Sequence, residues 1–188
     1  ELVQYYSEEI SKLASRYDMD VSQVLSELKA TYDGYHFSRK LQNVYNPFSV
    51  LNALSRSQLN SYWIATGSNE ILNNLSKKYV DEIPSLDGCL IDADYLEMSD
   101  VNMEEPKLFL YQSGYLTIKA VRGDYYILGY PNKEVKKAMF EMVLPMMTNK
   151  SSSEVNTLIQ KLKLNLCIGN VDEAMLCLKG LVAGTPYS

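Results

Sequence analysis

The chain holds a single histidine, His36, so any acid–base or nucleophilic centre built on imidazole would have to use it. It stands in an aromatic turn, Tyr32-Asp33-Gly34-Tyr35-His36-Phe37. There a histidine that packs and makes one hydrogen bond is the expected state. A histidine-rich metal site is ruled out by the count. Two Glu-x-Lys tripeptides, Glu27-Leu28-Lys29 and Glu134-Val135-Lys136, match the end of a nuclease carboxylate motif. That chemistry needs the glutamate and lysine on a strand beside a separate aspartate, to hold a hard divalent ion and activate water. Both tripeptides fall in helical patterns, so they are read as charged, solvent-facing residues. Asp92, Asp94, Glu97, Asp100, Glu104 and Glu105 are acidic neighbours. They lack the D-x-[DN]-x-[DN]-G spacing of a calcium loop and are expected to form a solvated loop.

The larger motifs of catalysis are missing from the sequence. No G-x-x-x-x-G-K-[ST] loop is present to cradle phosphates, and no G-x-S-x-G elbow. Autonomous ATP hydrolysis is therefore not expected. The chain of 188 residues carries a formal net charge of −5, against strong phosphate-backbone binding by the bulk of the surface. A local basic face remains, because Arg122, Lys133, Lys136 and Lys137 fall near one hairpin and the helix after it. They are candidate contacts for nucleic acid or for a partner protein. Arg16, Arg39 and Arg56 are the cations a partial nucleotide site would use. Fifteen tyrosines against one tryptophan suit half-buried core positions, or a contact surface. Met139, Met142, Met146 and Met147 read as core, with an adaptable surface as the alternative. Cys89, Cys167 and Cys177 are odd in number and form no C-x-x-C pair, so reduced thiols in a cytoplasmic protein are expected. No apolar run reaches the length of a membrane span. The chain begins at Glu1, which reads as a start within a longer protein or after processing.

Helical elements must position these groups. Val3, Tyr6, Ile10, Leu13, Ala14 and Tyr17 recur at helical spacing. Asp20 with Gln23 has the capping-box pattern for a second helix, which ends before Gly34. Asn46-Pro47 caps and opens a third. Ser68 is a cap for a helix through Tyr79, and Pro84 follows it. Residues 85–105 look irregular, with a short strand at 89–93. Pro106 opens a helix that Gly114 closes. Two segments rich in β-branched and aromatic residues, 115–121 and 125–130, flank the turn Arg122-Gly123-Asp124. Asn132 caps the next helix, which Pro145 bends or ends. Ser151/Glu154 and Asn170/Glu173 start a final helical pair, with a stop at Gly169. The expected fold class is mainly α (α+β): a helical bundle with a winged-helix-like helix–β-hairpin–helix element. Its expected parts are 1–84, 85–150 and 151–188.

Five blocks carry a family resemblance. Tyr32-Asp33-Gly34-Tyr35-His36-Phe37 resembles the Y-D-G-Y-x-F signature of a bacterial AAA-ATPase-like family. Val44-Tyr45-Asn46-Pro47-Phe48-Ser49 is similar to its Y-N-P-F-S block, and Tyr62-Trp63-Ile64-Ala65-Thr66-Gly67 to its Y-W-x-x-T-G block. Residues 110–118, Leu-Tyr-Gln-Ser-Gly-Tyr-Leu-Thr-Ile, match its L-Y-Q-S-G-Y-L-T-I block. Residues 128–135 resemble its L-G-x-P-N-x-E-V block. The tail Gly184-Thr185-Pro186-Tyr187 resembles its linker. In that family a P-loop ATPase core lies before these blocks, and a PD-(D/E)XK nuclease-like domain usually follows.

The resemblance implies a non-catalytic lid and winged-helix-like region that couples the two. It binds ATP and Mg only as part of the intact protein and holds no cofactor itself. Its partners are the ATPase core and the nuclease-like domain, and no membrane is expected. Tyr32, Asp33, Tyr35, His36 and Phe37 become the candidate interface with the ATPase core, with internal packing as the other use of that turn. The alternative is a nucleic-acid-binding winged helix that delivers DNA or RNA to the nuclease.

Overall fold

The structure, a computed structural model, describes residues 2–63, 79–80, 82–98 and 105–183. The helix expected from Ser68, most of the 62–67 block and the 184–187 tail lie outside the described residues. The chain is mainly α-helical with one small antiparallel sheet. It divides into two compact units, one of residues 1–69 and 85–138, the other of 70–84 and 139–188. Among the described residues no helix is long and apolar enough to cross a membrane.

The first unit begins with α1 (Leu2–Tyr5) and α2 (Ser7–Tyr17), separated at Tyr6. Glu8 and Glu9 in the first turn of α2 and Arg16 in its last complement the helix dipole. α3 (Val21–Tyr32) starts on the predicted box: the Asp20 carboxylate accepts from Gln23 N, and the Gln23 side chain accepts from Asp20 N, each at 2.8 Å. α4 (Pro47–Arg56) starts on Asn46, whose side chain accepts from Ser49 N, with proline in the first turn. Apolar stripes of α2, α3 and α4 meet in one core: Ile10, Leu13, Val24, Leu28, Tyr32, Val50, Ala53, Leu54 and Tyr62. Burial of each large side chain there contributes about 1.5–3 kcal/mol.

The sheet has the order β1 (Cys89–Asp92), β3 (Tyr125–Gly129), β2 (Thr117–Arg122). The β2–β3 hairpin turns at Gly123-Asp124, as the sequence predicts. The third strand, β1, pairs along the free edge of β3, Cys89 opposite Leu128 and Asp92 opposite Tyr125. Residues 85–98 are thus less irregular than expected, since α5 (Ala93–Met98) follows β1 directly. The Asp92 side chain caps it through Tyr95 N at 2.9 Å. α6 (Pro106–Gln112) opens on its proline. The expected order helix, hairpin, helix is present as α6, β2, β3 and α7 (Lys133–Thr148). Pro145 sits inside α7 without ending it.

In the second unit, α8 (Ser152–Cys167) begins on the reciprocal Ser151–Glu154 box, and α9 (Val171–Val182) on an Asn170 cap. Gly169, at φ +75°, makes the reversal. Ala174, Cys177 and Leu181 of α9 and Val155 of α8 are buried. Gly180 brings α9 close to Leu158, which a Cβ would meet at 3.4 Å. The three cysteines are free.

Among the described glycines, Gly34 leaves the least room for a side chain. Its φ is +96°, and a Cβ there would lie 2.3 Å from Pro131 O. A methyl group meets both left-handed strain and a backbone clash that no rotamer relieves. Gly34→Ala is expected to lower stability by roughly 3 kcal/mol. Urea unfolding followed by the fluorescence of Trp63 checks it.

Candidate functional site

The blocks that carry the resemblance are scattered through the sequence, and in the first unit they converge. Tyr32 ends α3 and is fully buried, its hydroxyl donating to Asn60 O at 2.8 Å. Asp33 leaves the helix in extended backbone. Gly34 passes against Pro131 O, to which Lys119 Nζ also donates, at 3.0 Å. Tyr35 and Val44 then exchange backbone hydrogen bonds at 3.2 and 3.0 Å, closing the loop between them. His36 is tied to β2: its N–H donates to Thr117 Oγ1 at 2.7 Å, and the Thr117 hydroxyl to His36 O at 2.9 Å. Its ring nitrogens face Ile118 O at 2.7 Å and Asn43 Oδ1 at 2.5 Å.

A β-bulge explains the role of Lys119. The register of β2 against β3 shifts between Ile118 and Ala120, so Lys119 is the extra residue. Bulges re-aim a side chain locally. Here the ammonium is brought to Pro131 O, with Asp33 and Asp87 among the charges around it. Burial holds the Lys119 ammonium below the usual lysine range.

Glu134 corrects an expectation. The sequence reads it as a solvent-facing charge in a Glu-x-Lys tripeptide. In the structure it is 2% exposed. Its Oε1 accepts from the backbone N–H of Tyr62 and from that of Trp63, the latter at 2.9 Å. A carboxylate in the first turn of α7 also suits the positive end of that helix. Asn132 caps the same helix through Val135 N at 3.0 Å. Trp63 rests edge-on against Tyr115, ring centroids 4.4 Å apart. Among the described residues, Asp33 Oδ1, Ser49 Oγ, Asn132 Nδ2 and Glu134 Oε2 are buried without a hydrogen-bond partner. All four belong to the blocks that carry the resemblance, and a buried polar group without a partner costs stability.

The five candidate interface residues divide sharply. Tyr32, Asp33 and Tyr35 are buried, and His36 is half-buried against β2. Phe37 is 68% exposed, its ring stacked at 6.1 Å on Tyr35. Phe37 flanks a concavity of about 300 Å³ lined by Tyr35, Val44, Tyr45, Pro47, Trp63 and Gly114. Val44, Tyr45 and Pro47 also line a second groove, which reaches Val3, Leu25 and Leu51. Among the described residues, no charged side chain lines the first concavity.

The basic candidates are spread differently. Lys133 pairs with Glu27 at 3.2 Å, and Lys136 with Asp87 at 2.7 Å. Lys136 also lies over the Tyr130 ring. Arg122 ends β2, and Lys137 is exposed on α7. Arg39 lies over Tyr126 and donates to its hydroxyl at 3.1 Å, while Arg56 lies over Tyr62. Tyr126 in turn donates to Glu97. Lys119 and Asp87 escape a reading by motif, since neither stands in a recognisable spacing. The bulge that aims Lys119 leaves no mark in the β-propensity pattern.

The first unit is sensitive to two changes, the loss of the Glu134 carboxylate and alkali. Glu134→Ala leaves two backbone N–H donors, one buried and one half-buried, without their acceptor and should lower stability by about 2–4 kcal/mol. Glu134→Gln keeps an acceptor and should lose less, as measured by the same Trp63-detected unfolding. The second concerns alkali. Burial raises the phenols of Tyr32 and Tyr35, and pushes those of Tyr115 and Tyr130 up to about 12. A phenol raised in the fold is neutral in both states below pH about 10. Above that the unfolded chain ionises first, so stability falls as pH rises. Absorbance at 295 nm should show a tyrosine fraction that ionises only as the protein unfolds.

No protein-family model and no solved structure matches the chain. It is similar to the "Uncharacterized protein in vnfD 5'region" of Azotobacter chroococcum mcd 1, with 31% identity over 122 residues. The match covers 63% of this chain and 23% of the relative, so the chain spans about a quarter of that protein's length.

Proposed function

We propose that the chain is a non-catalytic accessory region of an AAA-ATPase-like protein, coupling a P-loop ATPase core to a nuclease-like domain. The observation that carries the reading is the convergence of the blocks on one junction that ends in an exposed ring. The turn, the Asn46-Pro47 cap, the Tyr62-Trp63 segment, Tyr115 and the Pro131–Glu134 segment meet there. The Thr117, Lys119, Asn46, Asn132 and Glu134 side chains there bond to backbone groups or cap helices. This is the chemistry of a rigid mount, and it supports docking over catalysis.

Phe37 and the neutral concavity beside it are the docking element in this reading. The fixed part, Tyr32 to His36, holds the loop against β2 so that Phe37 projects in one direction. An exposed aromatic on a rigid loop is the kind of anchor that fills a partner's pocket. The ATPase core supplies that pocket, and nucleotide-driven movement of the core would then be passed on by rigid-body displacement. Engagement of Lys133 and Lys136 by Glu27 and Asp87 gives the nucleic-acid alternative less support.

Isothermal titration with Mg-ATP tests the assignment. The 188-residue chain is expected to show no saturable binding, and a longer natural protein containing it is expected to bind. Saturable binding by the chain alone would overturn the reading. In the longer protein, Phe37→Asp should raise the rate of limited proteolysis between core and accessory region. In the chain alone the same change, at an exposed position, should alter stability by less than about 0.5 kcal/mol.

A further inference from the structure

Helix α9 is apolar over more of its circumference than α8 covers. Ala174, Cys177 and Leu181 are buried. A second line, Val171, Met175 and Leu178, is 60%, 48% and 41% exposed, and Val182 continues it. These residues are spaced four, three and four apart, the alternation of a coiled-coil seam. At about 100° per residue, the exposed line lies roughly a quarter turn from the buried one. Seam spacing on exposed positions calls for a helix as the neighbour, since knobs at this period fit the holes of another helix.

The flanking charges identify that helix. On the side of the seam away from the buried line stand Asp172 and Lys179, seven residues apart and both exposed. In seam terms they occupy the same flanking position in successive repeats. When two such helices pair antiparallel, that position faces its own equivalent, so Asp172 of each helix meets Lys179 of the other. Met175 then packs against Leu178 in both directions. A parallel pairing sets these charges against Ala174 and Leu181 and leaves them unmatched. The helix is thus self-complementary under a two-fold axis, the symmetry of most homodimers.

We propose that α9 is a self-association surface, and that a second copy of this chain pairs with it antiparallel through Val171, Met175 and Leu178. The proposal does not rest on the ATPase reading, which concerns the other unit. Three turns of helix make a small interface, so the dimer is weak and reversible.

Sedimentation equilibrium of the full chain tests it. A monomer–dimer equilibrium with Kd on the order of 10 µM is expected. Leu178→Asp, at an exposed position, should weaken it at least about tenfold, while circular dichroism shows unchanged helix content. Asp172→Lys alone puts lysine against lysine, and Lys179→Asp alone puts aspartate against aspartate, so each should self-associate about tenfold more weakly. An equimolar mixture of the two restores both pairs and should dimerise at least as well as the unaltered chain. A chain that stays monomeric to about 1 mM, or a dimer indifferent to Leu178→Asp, overturns the proposal. So does a mixture that associates no better than its components.

Discussion

One carbonyl oxygen, Pro131 O, organises the first unit. Gly34 lies so near it that a Cβ there would clash, and Lys119 Nζ donates to it. The turn after α3, the bulged strand β2 and the segment leading into α7 are thereby brought to one point. Each neighbour depends on that closeness. Were the turn an ångström further away, the His36 backbone could not both donate to the Thr117 hydroxyl and accept from it, and the loop behind Phe37 would lose its anchor. Glu134, three residues on, then holds Tyr62 and Trp63 by their backbones and so fixes Trp63 against Tyr115. The chain uses a glycine, a lysine and a glutamate where a simpler core would use three apolar residues. What it gains is direction, because hydrogen bonds orient and apolar contacts do not.

Much of the fold was legible in the sequence because its signals are local. Capping residues at Asp20, Asn46, Asn132, Ser151 and Asn170 mark helix starts by hydrogen bonds that span three residues. The hairpin was legible from a Gly-Asp turn between two β-branched runs. What escaped was set by distant partners. β1 is four residues long, and its place on β3 is fixed by pairing across a gap that no window spans. Pro145 looks like a helix breaker, yet α7 continues through it.

The site was legible in a different way. The aromatic turn announced itself by composition, and its residues do converge with the other blocks. The split within it was invisible: nothing in Tyr32 to Phe37 says that Tyr35 faces inward and Phe37 outward. Glu134 was misread because a glutamate two residues past an asparagine cap, beside two lysines, has the look of a surface charge. Only the two N–H groups of residues 62 and 63, some 70 positions earlier, show what its carboxylate is for.

The first unit is discontinuous in the chain, and this has a consequence for how the protein is made. Its defining contacts join residues 71 to 97 positions apart, as from Trp63 to Glu134, from His36 to Ile118 and from Gly34 to Pro131. During synthesis the α2–α3–α4 core can gather early from near neighbours, but the junction around Pro131 cannot close until α7 has emerged. Loop closure over such separations is entropically slow. The α8–α9 hairpin, whose partners are adjacent in sequence, can zip up as soon as it appears. Biogenesis therefore leaves the far side of the aromatic turn open longest, with Tyr35 and Trp63 waiting for β2 and α7, while Tyr32 is already held in the helical core.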